Sequence, residues 1–429
     1  MPVCENLAGA DRGGVHAVVA GRRPVSRDVA LAPDDLRVRS AARATAVAFI
    51  GAGFVFASWA ARIPQVKAQL HLSTSQLGLA LLAIAGGSVV ALPLAGHVVG
   101  RFGSRRTVAA MAALLAVALA AVAAGYLVGV VPVVAGLFVL GFANGAWDVA
   151  MNVQAAGVEQ RLGRAVMSRF HAGYSVGTVG GALVGAAMVA ARVPVTAHLA
   201  AVAVVVLVCV PWAVQRFLPD HQDEPAASDE PVRPRHPLAA WGELRTLLIG
   251  ICVLAFAFAE GTANDWVGLA LIDGYGTSPA VGTLGLATFL AAMTAARWFG
   301  PALLDRHGRV PVVRGLAVVN VVGLLLFVFG GVTPVAFVGA LLWGIGVSLG
   351  FPVGMSAGAD DPARAPARVS VIASIGYCAF LGGPPLIGFL GQQVSVLRAL
   401  IAVAVLLAVA VSLAGVLRPL APEGRTTRR

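Results

Sequence analysis

Asn144, Asp148 and Asn152 stand four residues apart in the stretch "GFANGAWDVAMNVQA". On a helix that spacing makes one polar stripe. A second set sits in "FAFAEGTANDWVG", where Glu260 and Asn264 are four apart and Asp265 lies beside them. A charged group at the centre of a bilayer costs about 2.5–3.5 kcal/mol on insertion scales, so carboxylates in such apolar surroundings belong on a face turned to a bundle interior or a water cavity. There a carboxylate can take up a proton from one side and release it to the other. Neighbouring amides can bond either protonation state and orient a polar solute. The structural alternative is that polar groups on adjacent helices simply satisfy one another. That alternative weighs most for Asn144 and Asn152, while Asp265 can equally be a solvated residue near a mouth.

Other residues are weaker candidates. His171 can titrate near physiological pH, and it opens a span together with Tyr174 and Ser175; a solvated or capping role competes. Arg62 reads as an anchor at a span edge. Arg297 either snorkels to the surface or pairs with a carboxylate. Trp266 reads as an interfacial aromatic or a platform for a solute. Trp343, Phe351, Tyr377, Gln392 and Gln393 carry less signal.

The elements that must position these residues are membrane spans. The 429 residues are 58% hydrophobic and 12% charged, with mean hydropathy +0.85. Soluble domains average about 25% charged residues. Twelve apolar runs are long enough to span a bilayer: 41–61, 76–99, 107–127, 131–156, 168–191, 195–216, 245–271, 278–303, 310–330, 333–357, 368–391 and 395–417. The expected fold is all-α, with twelve transmembrane helices in two pseudo-symmetric six-helix bundles, residues 41–216 and 245–417. Residues 1–40 are too polar for a signal peptide and read as a cytoplasmic tail. The Pro- and acid-rich segment 217–244 reads as a cytoplasmic linker, and 418–429 as a second tail.

The net charge of +11 fits this topology rather than nucleic-acid binding. With both ends inside, the inner loops hold nearly all the arginines, and the outer loops hold only Arg62, Arg192, Arg398 and the sole lysine, Lys67. Internal repetition supports the two halves. "RFGSRR" at Arg101 recurs as "RHGR" at Arg306, an offset of 205, and "GY" at Gly173 recurs at Gly376, an offset of 203. Gly141 and Gly145 match Gly346 and Gly350, and Gly180 and Gly185 match Gly383 and Gly388. Duplicated six-helix units are a known transporter plan. Cys209, Cys252 and Cys378 lie in apolar runs without metal-ligand spacing, and with Cys4 they suggest no cofactor or metal.

On these motifs the chain resembles the major facilitator superfamily. "GHVVGRFGSRR", from Gly96 through Arg101, Gly103, Arg105 and Arg106, matches the family's loop between the second and third spans. "LLDRHGR", with Asp305, Arg306, Gly308 and Arg309, is its second-half copy. The resemblance implies a gating role for these loops, in which the signature carboxylate helps hold the cytoplasmic side closed. That position is Gly100 in the first half, and only Asp305 keeps the acid. The arginines also serve as topology anchors. The fifth span has Thr178 where the drug–proton antiporter signature needs proline, which counts against a drug exporter. "SWAARIPQVKAQLHLSTSQLGLALL", "MSRFHAGYSVG" and "AEGTANDW" are similar to a bacterial branch that includes a membrane protein linked to rhizopine and lies near sugar permeases.

The function expected is secondary active transport of a small polar solute such as a sugar or polyol, coupled to protons, by one chain in the cytoplasmic membrane. Its partners would be that solute, protons and the bilayer, with no nucleic acid. Export of a drug or metabolite is the alternative. A membrane enzyme has no support from H-E-x-x-H or G-x-S-x-G, and ATP drive has none from a P-loop. A sensor would need a signalling domain.

Overall fold

The computed structural model describes residues 33–163, 166–219, 239–361 and 364–420. The expected tails and linker fall largely outside them. Within them the chain is helical, and no strand occurs among the described residues. The first half comprises α1 (Pro33–Ala60), α2 (Ile63–Gln69), α3 (Thr74–Val128), α4 (Val130–Leu162), α5 (Met167–Ala190) and α6 (Val195–Val214). The second comprises α7 (Leu244–Tyr275), α8 (Pro279–His307), α9 (Arg309–Phe329), α10 (Thr333–Val347), α11 (Gly350–Gly358), α12 (Ala365–Val394), α13 (Val396–Ala399) and α14 (Ile401–Leu413). The first helix begins at Pro33, ahead of the apolar run at Ala41, so Arg37 and Arg39 ride on a helical extension rather than on an irregular tail.

Eleven helical stretches are long and apolar enough to cross a membrane. One of them, α3, is 55 residues long and makes two crossings, because Gly103 at φ 80°, ψ 158° turns the chain back. The total is therefore twelve, and both ends of the described chain lie at the same end of the molecule. There Arg245 at the start of α7 donates to the carbonyl of Arg418, 3.0 Å away. We call this the terminal end of the molecule, and the opposite one the distal end.

The repeat is visible in local chemistry. Ser73 caps α3 through a box with Gln76, its hydroxyl accepting from the Gln76 amide at 3.2 Å and its own amide donating to Gln76 Oε1 at 2.8 Å. Ser278, 205 positions on, caps α8 with Pro279 behind it. Gly308, again 205 on from Gly103, has φ 77° and ψ 168°. Only glycine holds that conformation without strain. The helix between cap and turning glycine is thus the same length in both halves. Packing against the next helix but one also repeats: a Cβ on Gly141 would strike the Ile84 carbonyl, and one on Gly344 the Phe289 carbonyl. Ile84 and Phe289 are 205 apart, but Gly141 and Gly344 are 203 apart. In the packing, then, Gly344 is the counterpart of Gly141, two residues before the Gly346 that the sequence offset suggests.

The bundles meet closely at the distal end. A Cβ on Gly78 of α3 would strike the Pro384 carbonyl of α12 and lie 3.1 Å from the Gly388 Cα. The Thr74 amide donates to Gln392 Oε1 at 3.1 Å, and Lys67 of α2 pairs with Asp273 of α7 at 2.9 Å. On the pseudo-symmetric side, Thr283 of α8 donates to the Ala61 carbonyl at 3.4 Å.

Candidate functional site

A cavity of about 290 Å³ lies between the two bundles. Its walls include Asn144 and Asp148 from α4, Glu260, Asn264 and Asp265 from α7, Tyr174 from α5 and Tyr377 from α12. Phe56, Leu81, Ile84, Met151, Phe380 and Pro384 supply apolar surface. Five of the six residues expected to face a pathway therefore share one space. Asn152 is set behind it: its amide nitrogen donates to the Asp148 carbonyl at 2.8 Å and to Asp148 Oδ1 at 3.2 Å, so it orients that carboxylate.

Helical geometry explains the sorting of α4. Trp147, fully buried, packs toward Gly51 of α1 and Val210 of α6, where a Cβ on Gly51 would lie 3.7 Å from the indole and 3.3 Å from Val210. The next residue, about 100° further round, is Asp148, and it meets the cavity. Trp266 is likewise fully buried, neither at an interface nor at the cavity wall. Trp343 stacks edge-on between Phe289 and Phe327 inside the second bundle.

Glu260 differs from Asp148 in its partner. Arg297 of α8 does not snorkel; its Nη2 donates to Glu260 Oε2 at 2.7 Å and its Nε to the Ser348 carbonyl at 3.1 Å. That carbonyl is free because the residue four further on is Pro352, which has no amide hydrogen to offer it. The break between α10 and α11 thus builds the acceptor that holds Arg297 in place. Asp148 and Asp265 have no ion pair among the described residues.

Two residues of the wall were legible but underrated. Tyr174 and Tyr377 are the tyrosines of the repeated "GY", 203 apart, and they line the cavity from opposite bundles. Tyr174 lies within electrostatic reach of Asp148, Glu260, Arg297 and Tyr377, and Tyr377 within reach of Asp148. Their duplication in an otherwise tyrosine-poor chain was the available signal. Nothing in the sequence indicated the state of Arg62. It is only 2% exposed, neither a surface anchor nor a cavity residue, and its Nε donates to Nδ1 of buried His198 at 2.9 Å. His171 is exposed near the terminal end, edge-on to Phe49.

At the terminal end the two signature loops behave differently. Arg101 lies over the Phe102 ring, Arg105 bonds Gln215, and Arg106 is exposed. Gly96 and Gly100 face open space. In the second loop Asp305 and Arg306 are exposed, and Asp305 has no partner among the described residues. Arg309 instead pairs with Asp360 at 2.6 Å, and Arg245 reaches the other oxygen of the same carboxylate at 2.9 Å. Burial pushes the Asp360 carboxyl up, but the hydrogen bonds and charges of Arg309 and Arg245 outweigh it and hold the group below its ordinary range. Beside it Glu243 accepts from Arg368 Nε at 2.5 Å, and that hydrogen bond holds its carboxyl down too.

Comparison with known proteins agrees with this architecture. Residues 44–375 match the family model of the Major Facilitator Superfamily. An uncharacterized MFS-type transporter of Yersinia pestis is 34% identical over 85% of this chain and 92% of its own. Membrane protein MosC of Rhizobium meliloti is 30% identical over 86% of this chain and 88% of its own. The crystal structure of the nucleoside transporter NupG superposes with TM-score 0.70 at 14% identity, over 87% of this chain and 97% of that one, a likeness of fold. Twelve crossings in two repeated bundles and a match over most of the length place the chain in one family: it is a multi-pass membrane transporter of the Major Facilitator Superfamily.

Proposed function

We propose that this protein is a secondary transporter that moves a small polar solute by alternating access and couples the movement to protons. The observation that carries the reading is that carboxylates from both bundles, Asp148 from the first and Glu260 and Asp265 from the second, face one cavity midway along the spans. A rocking of one bundle against the other changes the surroundings of both sets together. Distal contacts such as Lys67–Asp273 and Gly78 against Pro384 close one side in this conformation. The size and amide-rich wall suit a solute of sugar or polyol dimensions. Uptake is the favoured direction.

Within this mechanism the acids divide the work. Glu260 is tied to Arg297 by an ion pair and positions the wall. Asp148, held by a neutral amide alone, is the proton carrier. Arg101 and Asp305 lie on loops that must shift as the terminal end opens, and replacing either slows cycling more than it weakens binding. The terminal end is cytoplasmic in this reading, because the arginine-rich loops gather there.

The test is flux of a solute into proteoliposomes with and without a pH gradient. Asp148→Asn is expected to abolish gradient-driven accumulation while sparing exchange, and Glu260→Gln to weaken binding. Accumulation by Asp148→Asn and Glu260→Gln at the parent's level would reject proton coupling through these acids.

A further inference from the structure

The proposed pathway carries more negative charge than proton coupling requires. Among the described residues three carboxylates line the cavity, and its wall includes no Lys, Arg or His. Glu260 is satisfied from behind by Arg297, whose other bond goes to a backbone carbonyl. Asp148 receives one hydrogen bond, from the Asn152 amide, on Oδ1. Asp265 has no hydrogen bond or ion pair among the described residues. On the same wall Asn264 is nine-tenths buried, and its Oδ1 has no partner among the described residues.

A desolvated carboxylate needs a compensating charge or a proton. One coupling proton compensates one of the two unpaired acids. The second is left facing the space that the solute enters. Aromatic rings from both bundles, Phe56, Tyr174, Tyr377 and Phe380, complete the wall, and aromatic groups favour cations over anions. An anionic solute would meet uncompensated like charge. A neutral one would leave a carboxylate bare.

We propose that the solute is an organic monocation bearing hydrogen-bond donors, its positive charge held by Asp265, and that anions are rejected. This rests on the reading of the cavity as the solute pathway. It adds a selection by charge that neither the family nor the fold dictates.

The experiment uses the purified full chain in detergent and two sets of probes matched except for charge. One set is glucosamine, glucose and glucuronate; the other is 2-phenylethylamine, 2-phenylethanol and 3-phenylpropionate. Binding is read by thermal shift and titration. In at least one set the amine is expected to bind about tenfold or more tightly than its neutral counterpart, the usual scale of a close charge pair, and the acid not at all. Asp265→Asn should erase the preference, and Asp265→Glu, which keeps the charge, should restore it. Neutral or acidic probes binding as tightly as the amines would overturn the proposal, as would no binding of either amine or a preference that survives Asp265→Asn. Transport assays separate the two readings. Gradient-driven accumulation of a neutral probe would sink the charge assignment and leave transport standing. Tight, Asp265-dependent amine binding without flux would support the charge assignment and sink the transport reading.

Discussion

The two halves share a plan but are held together differently. Where α1 meets α5 in the first, glycines let backbones touch: a Cβ on Gly53 would strike the Tyr174 carbonyl, one on Gly177 the Ile50 carbonyl, and one on Gly181 the Phe54 carbonyl. Where α7 meets α12 in the second, glycines make room for side chains instead, Gly250 for Ile375, Gly261 for Phe380 and Gly376 for Val253. The terminal ends differ as well. The second half ties α7, α9 and the end of α11 together through Asp360, and joins α12 through Glu243. In the first half the acid near that place, Glu159, caps α5 instead, accepting from the amides of Val166 and Met167 at 2.6 Å each. A duplicated backbone therefore does not imply duplicated constraints. Close backbone contact cannot yield to a larger residue, whereas a side chain can turn aside.

The largest effect should come from adding one methyl to each kind of glycine. Gly177→Ala forces two backbones apart and is expected to cost about 2–3 kcal/mol, the upper part of the range for overpacking. Gly261→Ala needs only a small turn of the Phe380 ring, 3.1 Å away, and should cost less than about 1 kcal/mol. Thermal unfolding of the two variants in the same detergent compares them directly. Equal losses would mean that the two interfaces do not differ in kind.

Smaller effects should separate the two acids of the second half's terminal end. Asp360→Asn removes the charge that two arginines share, in a site where the carboxylate is 9% exposed and the guanidiniums about a quarter exposed. A loss of about 1–3 kcal/mol is expected for hydrogen bonds to a charged group. Asp305→Asn, at an exposed position, should leave stability unchanged and alter only the rate of transport. A stable Asp360→Asn protein would show that the ionic tie is ornamental to the fold.

The smallest effect is on pH dependence. Asp360 and Glu243 are both held below their ordinary values in the folded protein. Their contribution to stability is complete above the unfolded carboxylate range and is lost as pH falls through the lowered folded values. Unfolding measured from neutral pH down to about pH 3 should therefore show a loss on the acid side, reduced in Asp360→Asn. Hydrogen exchange should place the first loosening at the starts of α7 and α9. Loosening of the first half's terminal end at the same pH would erase the contrast.

Much of this was determined by sequence alone. Twelve apolar runs, arginines gathered on one side and glycines at near-constant offsets point to twelve helices in two related bundles, because a bilayer leaves a backbone few other ways to satisfy its hydrogen bonds. The four-residue spacing of Asn144 and Asp148, and of Glu260 and Asn264, identified faces that meet one cavity, because helical periodicity is local. Tertiary structure decided the partners. Arg297 meets Glu260 only because α7 and α8 pack side by side and Pro352 frees the Ser348 carbonyl. Arg62 could be buried only where His198, 136 residues away, offers a ring nitrogen. Asn152 carries the same spacing as its neighbours yet stands behind Asp148, since where the wall of a cavity ends depends on the helices opposite. Spacing along one helix tells which residues share a face, and only the packing of several helices tells what that face meets.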